Sequence, residues 1–164
     1  MSVHDLLSAL SLEEKIRLLH GRFEAGGIPR YDIPPIVFAD GPAGIRTTSA
    51  WDDEPPVDEV EANTAVRADG HPTALPCTLA LAATFDTECA REYGAVLGRE
   101  ANALDVNVVF GPGINLMRDP RCGRNFEYMG EDPFLAARLA VAYISGVQAL
   151  GVGACAKHYL ANDA

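Results

Sequence analysis

Positive charge is scarce in this 164-residue chain. Lysines and arginines number 13 against 23 aspartates and glutamates, for a formal net charge of -10 and a pI near 4.7. Nucleic acids and anionic membrane surfaces are polyanions that would repel such a chain, so a neutral or cationic small molecule is the better partner. Long apolar runs are missing too: none approaches the roughly 20 residues that a membrane-spanning helix needs. The N-terminus, with Asp5 and Glu13 close by, lacks the basic and apolar regions of a secretory leader, and a cytoplasmic protein is expected. Cys77, Cys89, Cys122 and Cys155 lie far apart with no C-x-x-C spacing. That scatter argues against a zinc site or redox motif and predicts free thiols, buried or half-buried.

What is present reads as a globular α/β chain, since 48% hydrophobic and 22% charged residues are ordinary for a packed core. Ser11-Leu12-Glu13-Glu14 is a capping box, and the helix it opens carries Leu12, Ile16 and Leu19 on one face until about Gly21. Gly26-Gly27 and three prolines make residues 22–35 a loop. Ile36 to Ala39 has no polar alternation, as suits a parallel strand covered on both faces. Residues 49–70 hold Asp52, Asp53, Glu54, Asp58, Glu59, Glu61 and Asp69 against Arg67 alone. They read as an acidic, solvated surface insertion. Asp86 caps a helix to about Leu104, with Ala90, Tyr93, Leu97, Ala101 and Leu104 at helical spacing. A second strand follows over Val106 to Phe110. Asp132-Pro133 then supplies the cap and first residue of a helix striped by Leu135, Leu139, Tyr143 and Val147, and Val152 to Ala156 forms a third strand.

Strand, helix, strand, helix, strand with short connections predicts parallel strands joined by right-handed crossovers. All strand C-termini then face one side. Asp40, the charged loop Arg121 to Glu131 and the pair Lys157-His158 converge on that rim although they are remote in sequence. The chain ends soon after the third strand, and the expectation is of a fragment with an unpaired sheet edge.

These rim residues leave several kinds of polar ligand open. Gly41-Pro42 bends the chain away from Asp40 and leaves its carboxylate in the mouth of the fold, able to accept from sugar hydroxyls, bind a metal, or act as acid or base. Arg124 can donate two parallel hydrogen bonds to a carboxylate or to vicinal hydroxyls, with Glu127 three residues on as a partner to hold it. Phe126 or Tyr128 either stacks on a sugar face or packs beneath the loop. Lys157 and His158 are adjacent, so their side chains diverge unless the backbone kinks, one facing the ligand while the other braces it. His4, His20 and His71 lie in terminal or loop contexts and receive no role.

Three motifs in order carry a resemblance: Asp40-Gly41-Pro42-Ala43-Gly44-Ile45-Arg46; Gly123-Arg124-Asn125-Phe126-Glu127 with Gly130-Glu131-Asp132-Pro133; and Lys157-His158-Tyr159 with Asn162. Together with Leu12-Glu13-Glu14-Lys15-Ile16 and Thr73-Ala74-Leu75-Pro76 they resemble glycoside hydrolase family 3, the β-glucosidase group. The resemblance implies the N-terminal portion of a (β/α)8 TIM-like barrel, spanning residues 1–164, with the remainder of the barrel and a second domain absent. It implies that Asp40, Arg124, Lys157 and His158 bind hydroxyls of a terminal glucose, with Arg46 and Glu127 in support and no cofactor or metal. The implied reaction is hydrolysis of terminal non-reducing β-D-glucosyl residues by a retaining two-carboxylate mechanism on a small β-glucoside or oligosaccharide. Nucleophile and acid/base are expected downstream of Ala164, because Asp163 follows the Lys-His motif too closely, and the 164 residues alone are expected to hydrolyse nothing. Tyr159-Leu160-Ala161-Asn162-Asp163 replaces the Pro-Gly-His-Gly-type run of the N-acetylglucosaminidase branch, which favours the glucosidase-like one. Xyloside or arabinoside substrates stay open, as do two other readings: a non-catalytic sugar-binding module, and an aldolase-like barrel with Lys157 as the Schiff-base residue.

Overall fold

The structure is a computed structural model that describes residues 2–19, 24–46 and 72–162. The acidic insertion read at 49–70 lies outside the described residues. Helix α1, Val3–Ala9, is capped by a reciprocal pair in which the Asp5 amide donates to Ser2 Oγ and the Ser2 amide to the Asp5 carboxylate, both at 3.1 Å. The sequence reading did not include α1; Val3, Leu6, Leu7 and Leu10 stand at helical spacing and were the signal for it, although no residue within the helix is buried. Helix α2, Leu12–Leu19, forms behind the capping box predicted at Ser11 and Glu14. Its apolar face, however, is bare: Leu12 is 74% exposed and Leu19 90%. What fixes this segment is polar. Arg30 donates to both Glu14 oxygens at 2.5 and 2.6 Å and to the Ala9 carbonyl at 3.0 Å, with its guanidinium lying over the Tyr31 ring. Those bonds, with the Ser11 amide, hold the Glu14 pKa down to about 2.

Residues 22–35, read as loop, contain regular structure. Strand β1, Glu24–Ala25, pairs antiparallel with the start of β2, Ile36–Asp40, and a 3-10 turn, Pro29–Tyr31, sits inside an Ile28 to Ile33 bridge. Glycine permits this closure, since a Cβ on Gly27 would lie 2.5 Å from the Ile33 carbonyl.

The remaining chain alternates as expected. After β2 come α3, Thr78–Ala82, and α4, Thr87–Ala103; then β3, Val108–Phe110; then α5, Pro133–Gln148; then β4, Gly153–Ala154. β3 lies parallel between β2 and β4, with Ala39 opposite Val109 and Val109 opposite Ala154. The strands β3 and β4 are shorter than the apolar runs that predicted them, because Val106 and Val152 pack in the core before the ladder begins. Asp86 accepts from Glu88 and Cys89 at the head of α4, and Asp132 from Phe134 at the head of α5, so both predicted caps form.

Among the described residues the two faces of the sheet are unequally covered, which corrects the expectation of a strand buried on both. Ala39 and Val109 turn towards α4 and α5 and join Leu97, Leu139, Tyr143 and Val147 in the core. On the opposite face the half-buried rings of Phe38 and Phe110 stack with centroids 5.6 Å apart. Alternation along β2 puts Asp40 on the same face as Phe38, so the aromatic pair backs the carboxylate. All four cysteines are free; Cys122 is buried and Cys89 half-buried, but Cys77 and Cys155 are exposed. Among the described residues no helix is long and apolar enough to cross a membrane.

Helices α4 and α5 meet almost backbone to backbone. A Cβ on Gly146 would lie 2.1 Å from the Arg91 carbonyl, and one on Gly94 2.1 Å from the Tyr143 carbonyl. Gly146→Ala gains up to about 1 kcal/mol of helix propensity, but the methyl must push the helices apart. A net destabilisation of about 1–2 kcal/mol is expected in urea unfolding, and an unchanged or raised midpoint would refute the close contact.

Candidate active site

The C-terminal rim of the sheet gathers the predicted residues into one continuous polar chain. Asp40 ends β2, and the turn after it doubles back: the Arg46 amide donates to the Asp40 carbonyl at 2.8 Å. Gly41 makes that reversal possible, because its φ is +140° and a Cβ would lie 1.8 Å from the Gly44 carbonyl. Arg46 is thereby returned to the carboxylate, with Nη1 3.5 Å from Asp40 Oδ2. The other oxygen, Oδ1, accepts a short hydrogen bond from Lys157 Nζ.

Lys157 reaches the rim by continuing past β4. Its amide donates to the Pro112 carbonyl at 3.0 Å and its carbonyl accepts from Ile114 at 2.7 Å, which zips it to the segment beyond β3. From there Nζ contacts a second carboxylate, Glu127 Oε2, at 3.3 Å. Glu127 lies in a 3-10 turn, Asn125–Glu127, and is buried, its side chain only 3% exposed. Its Oε1 accepts a short charge-assisted bond from Arg124 Nε, the pairing anticipated from their spacing of three residues. Arg124 Nη2 in turn lies 3.0 Å from His158 Nε2. Arg46, Asp40, Lys157, Glu127, Arg124 and His158 thus form a single network although 112 residues of sequence numbering separate its ends.

Lys157 and His158, joined by a cis peptide bond, both enter this cluster. The backbone bends between them, the one case in which adjacent side chains need not diverge. Of Phe126 and Tyr128, it is Tyr128 that packs beneath the loop. Phe126 is 62% exposed beside the cluster, whereas Tyr128 is fully buried and packs edge-on against the His158 ring. Arg121 pairs with Asp119 at 2.7 Å at the surface.

Two bracing residues escaped the sequence reading or were left without a role. Asn115 Oδ1 accepts from the His158 amide at 2.7 Å, and Asn162 lies with its side-chain nitrogen 2.6 Å from the Tyr128 hydroxyl. Asn115 lies in the segment beyond β3 to which Lys157 is zipped, and no local pattern in the sequence marked it.

The electrostatics assign protonation. Burial first, and the Arg124 guanidinium second, lower the pKa of His158; Lys157 acts in the same sense, while Glu127 and Asp40 oppose it. A second cation at Nε2 would face Arg124 directly, so the ring is neutral at pH 7. In the unfolded chain the same imidazole titrates near 6.5. Below that value the unfolded state takes up a proton that the folded site refuses, so this contribution to stability is complete above pH 6.5 and is lost as pH falls through the lower folded value. Melting temperature should therefore drop between about pH 7 and 5, and His158→Asn should flatten that segment of the curve. A wild-type curve already flat over this window would contradict a neutral imidazole.

A parallel sheet whose rim joins carboxylates, cations and a neutral imidazole belongs, by fold, to the α/β barrels, of which this chain forms the N-terminal part. The family model described as the glycosyl hydrolase family 3 N terminal domain matches residues 55–164. The chain belongs to glycoside hydrolase family 3. It is 43% identical over 163 residues to a β-glucosidase of Bacteroides ovatus, covering 98% of this chain and 21% of the relative. It is 38% identical over 165 residues to thermostable β-glucosidase B of Acetivibrio thermocellus, covering 99% and 21%. Among solved structures, β-glucosidase 3B from Thermotoga neapolitana in complex with glucose superposes with a TM-score of 0.77 at 38% identity, over 98% of this chain and 23% of that one. A β-glucosidase from Kluyveromyces marxianus in complex with glucose reaches 0.81 at 32% identity, over 99% and 18%. The chain thus spans about a fifth of the length of the relatives it matches.

Proposed function

We propose that these residues form the glucose-binding subsite of a retaining β-glucoside hydrolase. The observation that carries the reading is the linkage of Asp40 to Arg124 through Lys157 and Glu127. Exposure separates those that meet a ligand from those that stand behind. The Arg124 side chain is 46% exposed and that of Asp40 33%, against 13% for Lys157 and 3% for Glu127. Asp40 accepts from sugar hydroxyls and Arg124 donates to them, with His158 beside it. Lys157 lies deeper, where its ammonium reaches a hydroxyl while holding Asp40. Glu127 and Arg46 keep the charged groups in place.

Such contacts contribute to rate if they tighten as the ring flattens towards an oxocarbenium ion. Neither Asp40 nor Glu127 is the nucleophile or the acid in this reading. Each is a carboxylate held by two cations, an arrangement suited to accepting hydrogen bonds rather than to supplying a proton. Those two roles fall to carboxylates outside these residues. Lys157, engaged by two carboxylates, likewise suits an ammonium donor rather than a Schiff-base nucleophile. The glucose carried by the Thermotoga neapolitana and Kluyveromyces marxianus relatives supports glucose as the sugar bound here.

In the complete gene product carrying this sequence, an aryl β-D-glucoside should be hydrolysed with retention at the anomeric carbon. Asp40→Ala should lower kcat/KM about 100-fold, the loss of a charged acceptor to two hydroxyls. The 164-residue chain assayed alone should give no protein-dependent turnover. Turnover by the chain alone, or an Asp40→Ala enzyme with unchanged kcat/KM, would overturn the assignment. Glucose binding without hydrolysis by the complete product would mark a sugar-binding module instead.

A further inference from the structure

Tyr128 has a fully buried ring, yet its hydroxyl meets three polar groups at the back of the rim. The reason lies one step away, at the contact between Arg124 Nη2 and His158 Nε2. A guanidinium carries donors only, so Nε2 must present its lone pair. The single ring proton of the neutral imidazole then sits on Nδ1 and needs an acceptor of its own. The Tyr128 hydroxyl lies 3.2 Å from Nδ1. It donates its own hydrogen to the main-chain carbonyl of Asn162 at 3.0 Å, which leaves both lone pairs free to accept. The Asn162 side-chain nitrogen, 2.9 Å from Nδ1, is itself a donor and cannot take that proton; it donates instead to the Tyr128 hydroxyl at 2.6 Å.

We propose that Tyr128 is a positioning residue: its hydroxyl holds His158 in the Nδ1–H tautomer, so that Nε2 faces Arg124 as an acceptor and fixes the guanidinium over the binding site. Tyr128 touches no ligand and acts through His158. Without its hydroxyl the Nδ1–H form loses its acceptor, the Nε2–H form gains population, and two donors then confront each other across the Arg124 contact. The consequence for sugar binding rests on the function proposed above; the tautomer does not.

Tyr128→Phe tests this while keeping the ring, and with it the edge-on packing against His158 at 6.1 Å between centroids. Two-bond nitrogen–proton couplings in the full chain labelled with 15N-histidine report the tautomer, and His158→Gln assigns the signals. The wild-type ring should be Nδ1–H, and Tyr128→Phe should give a mixture with Nε2–H. Glucose, the probe ligand, should bind the variant about tenfold more weakly, the effect of one buried hydrogen bond lost. A merely structural tyrosine would lower the melting temperature and leave the tautomer unmoved, which would overturn the proposal. So would a wild-type ring protonated on Nε2, a measurement that decides the matter even if the variant fails to fold. A tautomer altered by Asn162→Leu but not by Tyr128→Phe would transfer the role to Asn162 and equally overturn it. Should the wild type bind no glucose, the sugar subsite falls while the couplings still decide the role of Tyr128.

Discussion

One ammonium group organises this rim. Lys157 Nζ stands between Asp40, at the end of one strand, and Glu127, in the turn before α5, and it contacts both. Without it two carboxylates would face each other, one of them buried, and their mutual repulsion would add to the cost of taking Glu127 out of water. Breaking a buried pair of this kind by removing one partner typically costs about 3–5 kcal/mol. The position of Lys157 is in turn set by backbone, through the exchange of amide and carbonyl with Pro112 and Ile114. Registry of β4 on β3 therefore decides where a side-chain nitrogen sits on the far side of the rim.

The helices reinforce the same registry from behind. Tyr143 on α5 sends its hydroxyl through the core to the Pro42 carbonyl at 3.2 Å, in the turn that leaves Asp40. Tyr93 on α4, packed against Tyr143 at 5.7 Å between centroids, donates to the Pro76 carbonyl at 2.6 Å. Both phenols are pushed well above their usual pKa, chiefly by burial, so they stay protonated donors. The glycine contact between α4 and α5 brings these helices close enough for the two tyrosines to meet. Packing of small residues in the core thus reaches the turn that leaves the Asp40 carboxylate in two steps.

Local signals made much of this legible in the sequence. Asp86, Asp132-Pro133 and the Ser11 to Glu14 box each act within one helical turn, and all three caps form where the residues stand. The parallel order of β2, β3 and β4 followed from alternation with helices, and it placed Asp40 and Lys157 at one end. What depended on distant partners was not legible. The pairing of Glu24–Ala25 is dictated by β2, eleven residues on, and not by its own glycine-rich surroundings. The short α3 has too few residues to display a period. Leu12, Ile16 and Leu19 announced a helix correctly, but a stripe in the sequence cannot say whether anything covers it. For Lys157 and His158 the alternation rule does not apply, because β4 ends at Ala154, before either of them.

The order of charges along the network explains why its last member is neutral. From Arg46 through Asp40, Lys157 and Glu127 to Arg124, cation and anion alternate, three positive groups against two negative. A sixth group in contact with Arg124 must be anionic or neutral to avoid abutting two cations. An anion there would compete with Glu127 for the guanidinium and draw it away from the rim. A neutral acceptor engages one N–H and leaves the Glu127 bond intact, which is what His158 Nε2 provides. Imidazole meets that requirement only while its proton stays on the far nitrogen, so the geometry of the exposed guanidinium depends on groups buried behind the ring. The polar face and the core of this fold are therefore coupled at His158, where a single proton is shared between the demands of both.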